Sequence, residues 1–332
     1  MSNLAAQLGR VLVTGGTGFV GGHLLPRLRA EGVTVRVLSR RAAPVETPFD
    51  WVRGDLTARE SLLPAVAGVD TVLHLGGYAH AMSRPDPAEL ERHRRTNLEG
   101  TSTLVQAAAE AGARRFVLVS SVKAAGEDPQ QCIDEDDARL PRDPYGAVKR
   151  LAEERVLATA GASGMAACVL RPALVYGPGV KGNLAAMMTA IARGRFPPVP
   201  ETGNVRSMVD VRDLVEAILA AAVRPEAAGG TFILTDGEAY STRRIYLAMC
   251  AALGRRPPPW TLPAGLLRLL GRLGDAGEAL FGRDLPIDST RVRRLLESAC
   301  YRSVRAEAGL GFRPRHRLED ALPEMVAALR NP

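Results

Sequence analysis

Short apolar runs alternate with amphipathic stretches along most of this chain. Arg10 to Thr14 predicts a first strand, and His23 to Ala30 predicts a helix behind it. Val33 to Leu38, Phe49 to Leu56, Asp70 to Leu75, Arg115 to Ser120 and Met165 to Leu170 predict further strands, with Phe49 to Leu56 running into a turn. Helices are predicted over Ser61 to Ala67, over a long stretch from Leu90 to Ala111, over Ala185 to Arg193 and over Leu214 to Val223. Gly230 to Leu234 is a last strand, and Ser241 to Pro332 reads as helices with joints such as Pro257-Pro258-Pro259. Strand and helix in alternation predict an α/β fold with a doubly wound parallel sheet. Turn residues after Leu170 send the chain out of that sheet, so a smaller C-terminal lobe is interleaved with it.

Composition narrows the class. A chain of 332 residues, 46% hydrophobic with mixed charges, is an ordinary globular protein with one large core or two unequal ones. The net charge of +7 comes from scattered arginines, and aromatics are only 5%, so nucleic-acid binding is not expected. A mildly basic protein favours anionic small molecules such as phosphates. Cys132, Cys168, Cys250 and Cys300 are far apart and form no metal-type pairs; Cys168 and Cys250 lie in apolar runs and read as core. No charged start followed by an apolar stretch reads as a signal peptide, and no run of twenty apolar residues reads as a membrane span, so a cytoplasmic protein is expected. Leu262 to Leu280 is apolar enough to consider membrane-surface contact, but its arginines and Asp275 favour packing within the smaller lobe.

The first strand runs into Gly15-Gly16-Thr17-Gly18-Phe19-Val20-Gly21-Gly22 and then a helix, the context a dinucleotide fingerprint requires. Gly15 allows the tight turn, Gly18 lets backbone approach a pyrophosphate, and Gly21 lets helix pack close to strand. Amides at the helix start, with Thr17, Phe19 and Val20 around them, face the phosphates. The second strand ends in Ser39-Arg40-Arg41, where an acidic residue would hold the ribose of NAD. Arginine there favours a 2′-phosphate, so NADP(H) is the expected cofactor and NAD(H) the other option. Asp55 is placed to meet the adenine amino group with Leu56 beside the ring, and Leu75, Gly76 and Gly77 bring backbone near the cofactor.

Tyr145 and Lys149 stand four apart, on one face of a predicted helix that begins after Pro141 to Pro144. A neighbouring ammonium is expected to lower the tyrosine pKa and make it an acid/base near neutrality. The chain has only three lysines, Lys123, Lys149 and Lys181, and one follows this tyrosine by a single turn. Ser121 ends the fifth strand, at the carboxyl edge where sites in such sheets lie.

With these motifs the chain resembles the extended short-chain dehydrogenase/reductases, the group of nucleotide-sugar epimerases, dehydratases and 4-keto reductases, over nearly its whole length. The resemblance implies a Rossmann domain over 1–174 completed by 208–236, and a substrate domain over 175–207 and 237–332. It implies Ser121, Tyr145 and Lys149 as the catalytic set. Tyr145 and Lys149 also touch the cofactor, and Arg171 opens the loop that passes the nicotinamide. The segment Val119 to Glu127 lacks the Val-Tyr-Gly of epimerases and the Asp-Glu pair of 4,6-dehydratases, and its Ser-Ser-Val-Lys form is similar to UDP-N-acetylquinovosamine 4-reductases of polysaccharide synthesis. Arg206 matches a family arginine that grips the nucleotide diphosphate. Arg291, Arg293 or Arg294 would add a second contact. Asn183 is either a diphosphate contact or a helix cap. The expected protein is an NADP(H)-dependent reductase at carbon 4 of a nucleotide-diphosphate sugar, with a 4-epimerase that retains its cofactor as the alternative and a non-catalytic dinucleotide binder behind it. A homodimer is left open.

Overall fold

The computed structural model describes residues 3–78, 87–137, 139–281 and 287–330. A short helix α1 (Asn3–Leu8) leads into β1 (Val11–Thr14), every residue of which is buried, as expected of a strand covered on both faces. Then come α2 (Phe19–Ala30), β2 (Val35–Ser39), β3 (Asp50–Arg53), α3 (Arg59–Val66) and β4 (Thr71–His74). They are followed by α4 (Pro87–His93), a π-helical stretch (Arg94–Glu99), α5 (Gly100–Glu110) and β5 (Arg115–Val119). After a 3₁₀ turn (Val122–Ala125), α6 (Pro144–Ser163) returns the chain to β6 (Ala166–Pro172).

All pairings in the seven-stranded sheet are parallel, in the order β3-β2-β1-β4-β5-β6 with β9 (Thr231–Leu234) at the far edge. This is the dinucleotide-binding Rossmann order, and the strand order reverses between β1 and β4. One apolar cluster packs α2 and the Val211–Val223 helix on one face, and a second packs α3, α5 and α6 on the other. Doubly wound topology therefore stands as expected. The long helix predicted over Leu90 to Ala111 is divided: a π stretch interrupts it, and such stretches cluster at functional sites.

The chain leaves the sheet at β7 (Leu174–Tyr176), forms α7 (Asn183–Ala192), and returns through β8 (Met208–Asp210), which pairs with β7 in a separate two-stranded sheet. Helix α8 (Val211–Val223) then covers the main sheet before β9. Past β9 come α9 (Thr242–Ala252), α10 (Ala264–Phe281), α11 (Ser289–Leu296), α12 (Ala306–Leu310) and α13 (Leu318–Arg330). Helices α7, α9 and α13 share their own apolar cluster. Of α10, one face packs on α11 through Leu267, while Leu266, Leu269 and Leu273 are exposed, so packing within the lobe accounts for only half of that helix.

A disulfide joins Cys132 to Cys300, which the 168-residue separation had concealed. Around it the Ile133 amide donates to the Cys300 carbonyl at 3.0 Å, and the Arg302 amide donates to the Ile133 carbonyl at 2.8 Å. Cys168 and Cys250 are free and buried, as expected.

Candidate active site

The turn after β1 is built by close approach. Gly15 has φ +73°, a left-handed conformation, and a Cβ there would lie 2.7 Å from the Gly76 amide nitrogen. A Cβ on Gly21 would lie 2.6 Å from the Gly16 Cα, so this glycine does let α2 settle onto the turn. Helix α2 starts at Gly18 with no side-chain cap, leaving its first amides to an anion. Thr17 and Gly18 are exposed, with Phe19 and Val20 half-buried beside them. Leu75, Gly76 and Gly77 come off the adjacent strand β4, across the point where strand order reverses. These residues form the cradle a dinucleotide pyrophosphate fits. Arg40 and Arg41 are exposed immediately beyond β2. Asp55 folds one carboxylate oxygen onto the Thr57 amide (2.9 Å) and hydroxyl (2.8 Å), and the following Leu56 is buried.

Helix α6 brings the three catalytic candidates together. The Asp143 side chain caps it by accepting from the Gly146 amide at 2.9 Å, with Pro144 in its first turn. Gly146 packs so closely on the 3₁₀ turn that a Cβ would overlap the Lys123 carbonyl oxygen. Ser121 caps that turn, its hydroxyl accepting from the Lys123 amide at 3.3 Å. One turn beyond Tyr145, the buried Lys149 ammonium donates to the Val119 carbonyl at 3.4 Å, at the end of β5. The expected electrostatics need correction. Burial, then the Asp143 charge, pushes Tyr145 up to about 12, and burial pushes Lys149 down to about 8 against a weaker opposing pull from Glu153. Desolvation thus sets the balance at Tyr145, and the phenol is held protonated.

Neighbouring residues that the sequence reading missed complete the site. The His93 ring stands edge-on to Tyr145 at 5.2 Å and to Tyr78 at 4.9 Å. Asn97, placed one turn on by the π stretch, lies 3.2 Å from His93 Nδ1 and accepts from the Tyr78 amide at 2.7 Å. His74 bridges Thr14 (2.5 Å) and Thr101 (2.9 Å), and burial with the Lys149 charge pushes it down to about 3, so the ring is neutral. The i,i+4 spacing of His93 and Asn97 on the predicted helix was the signal that could have found the pair, and the two side chains do meet in the structure. Arg171 is buried with its guanidinium on the Glu153 carboxylate of α6, the Nε lying 3.1 Å from each oxygen. The pair ties β6 to α6.

In the second half, Gly182 rather than Asn183 caps α7, and Asn183 is exposed at the first helical position. The Arg206 guanidinium donates to the Arg294 carbonyl and to the Glu297 carbonyl at 3.5 Å, at the end of α11. Burial holds its pKa below the usual value, opposed by the nearby Glu127 and Tyr301 and aided by the Arg294 charge, while Arg291 is paired with Asp288 at 2.7 Å. Tyr301 closes this side: its hydroxyl donates to the Gly126 carbonyl at 2.9 Å, beyond the serine turn. A cavity of about 350 Å³ between Thr235–Ala239 and Cys300–Ser303 includes none of the expected site residues.

A dinucleotide cradle at the switch point of a parallel sheet, with serine, tyrosine and lysine at its carboxyl edge, defines an oxidoreductase of the extended short-chain dehydrogenase/reductase type. The chain belongs to the NAD-dependent epimerase/dehydratase family, whose model matches residues 11–234. It is 30% identical to a UDP-glucose 4-epimerase of Vibrio cholerae over 96% of this chain and 94% of that protein. It is likewise 30% identical to a 3-beta-hydroxysteroid dehydrogenase of Mycolicibacterium neoaurum, over 97% and 92%. Among solved structures, MoeE5 in complex with UDP-glucose and NAD superposes with a TM-score of 0.79 at 27% identity, covering 97% of this chain and 99% of that one.

Proposed function

We propose that the protein is an NADP(H)-dependent reductase acting at carbon 4 of a nucleotide-diphosphate sugar. The observation that carries this reading is Arg206: a largely buried guanidinium, with Arg294 near it, whose hydrogen bonds in the structure go to backbone carbonyls. Beside the Glu127 carboxylate that partly balances it, this guanidinium keeps the fork geometry with which a diphosphate is met by charge-assisted contacts. In this reading 1–174 with 208–236 hold the cofactor, and 175–207 with 237–332 hold the sugar nucleotide, Asn183 included. When bound, the dinucleotide supplies the hydride. Tyr145, kept protonated by burial, gives its proton to the oxygen at carbon 4. Ser121 hydrogen-bonds that oxygen, and Lys149 holds the ribose and compensates the charge left on the phenol. Arg40 and Arg41 meet the 2′-phosphate of the cofactor.

A second reading, a UDP-hexose 4-epimerase that retains its cofactor, is supported by the similarity to the Vibrio cholerae enzyme over nearly the whole chain. The two separate in a pair of incubations. A reductase oxidises added NADPH in step with loss of a 4-keto nucleotide sugar and binds NADPH more tightly than NADH. Inversion of UDP-glucose to UDP-galactose with no added cofactor and no net change in nicotinamide would replace the reductase with the epimerase.

A further inference from the structure

Helix α10 presents two faces of opposite character. Leu267 packs with Val292 and Leu296 of α11, and Gly274 sits so close to the chain before α11 that a Cβ would overlap the Ile287 carbonyl oxygen. On the outer face, Leu266, Leu269 and Leu273 are 41, 52 and 59% exposed. Spaced three and four apart, they make one ridge along the helix. Trp260, in the segment that leads into the helix, is 58% exposed. Isolated exposed leucines need no explanation, but a ridge of three with a tryptophan at its head does.

Charge says what it is shaped to meet. Over residues 254–279 the exposed charged side chains are Arg255, Arg256, Arg268 and Arg272. The acids of the helix are turned in: Asp275 accepts from the Ser289 amide at 3.0 Å, and Glu278 is buried. A solvated helix face normally mixes signs. Among the described residues of this stretch, 254–279, every exposed charge beside the apolar ridge is a cation, the pattern of helices that lie in a membrane interface. A second copy of the chain fits poorly, because a two-fold contact would set these arginines against themselves. No helix among the described residues is long and apolar enough to cross a membrane, so contact would be peripheral.

We propose that the outer face of α10, with Trp260, docks on an anionic lipid bilayer. The ridge enters the acyl boundary, Trp260 sits at headgroup level and the arginines meet lipid phosphates. This inference does not depend on which substrate is reduced.

The test uses the full chain with vesicles of phosphatidylcholine alone and of phosphatidylcholine with phosphatidylglycerol. The protein should sediment with the anionic vesicles, less so as salt rises, and not with the neutral ones. In a Trp51→Phe background, emission from Trp260 should shift to the blue on binding. Leu269→Ser with Leu273→Ser, and separately Arg268→Glu with Arg272→Glu, should each weaken binding by about tenfold or more with unchanged melting and circular dichroism. Absence of binding to anionic vesicles at low salt would overturn the proposal, as would binding that survives both double variants. So would concentration-dependent self-association that the leucine pair abolishes, since the ridge would then be an interface between copies.

Discussion

Lys149 sits where two demands conflict. Its contact with the Val119 carbonyl and its place one turn after Tyr145 require an ammonium, yet its burial pushes the pKa from 10.5 to about 8. Between those two values the unfolded chain holds a proton that the folded one has lost, so stability rises with pH through that window. Below the folded value the full penalty is present. Lys149→Met, without cofactor, should therefore be more stable than the parent near neutrality, by on the order of 2–3 kcal/mol. The difference should close as pH climbs from 8 to 10.5, which urea unfolding at several pH values would show. A gap that does not change with pH would mean that Lys149 titrates normally. At this scale the spacing of the candidate residues was legible, but the balance of burial and charge around them was not. Tyr145 and Lys149 were legible from their spacing, but the phenol is raised chiefly by burial, with His93 packed edge-on against it from elsewhere in the chain, and then by the Asp143 charge.

Elements formed by local chemistry were the most legible. The glycine turn, the apolar strands and the Asp143-Pro144 start of α6 announce themselves within a few residues, and each stands where expected. Features made by pairing across the chain were not legible, the Arg171–Glu153 pair and the disulfide, and neither was the π stretch that carries Asn97. The turn gives a sharp test. A methyl group on Gly21 would meet the backbone of Gly15 and Gly16, neither of which is the end of a flexible side chain. Gly21→Ala should thus lift α2 from β1, costing roughly 1–3 kcal/mol as an overpacked site, and should weaken cofactor binding more than tenfold, since the amides at the helix start move with it. Gly22→Ala, with open space around the added carbon, is the control. Equal cofactor affinity in both variants would remove close packing as the reason for glycine there.

At the scale of the whole molecule, the segment after Ser121 is fastened to the C-terminal part of the chain. The Cys132–Cys300 disulfide does this together with Glu135, which accepts from the amides of Ile233 at 2.9 Å and Val304 at 3.0 Å. A crosslink closing 168 residues restrains the unfolded chain, by up to about 5 kcal/mol in the chain-entropy account. Cys132→Ser, or a thiol reductant, should lower the urea midpoint clearly while leaving Tyr145 chemistry in place. Equal midpoints with and without reductant, on protein whose peptide map shows the bond, would assign the pair no part in stability.

The central claim is that Tyr145 protonates a sugar carbonyl oxygen as the nicotinamide delivers hydride to its carbon, and one measurement meets it directly. The enzyme is given NADPH carrying deuterium at both positions of carbon 4 of the nicotinamide and a 4-keto nucleotide sugar, beside Tyr145→Phe. The account predicts deuterium at carbon 4 of the sugar product, and turnover lower by ~10²-fold or more in the phenylalanine variant with cofactor affinity nearly unchanged. A variant that keeps a third or so of parental turnover, against that expected scale for loss of an acid, or a product without deuterium at carbon 4, would contradict it.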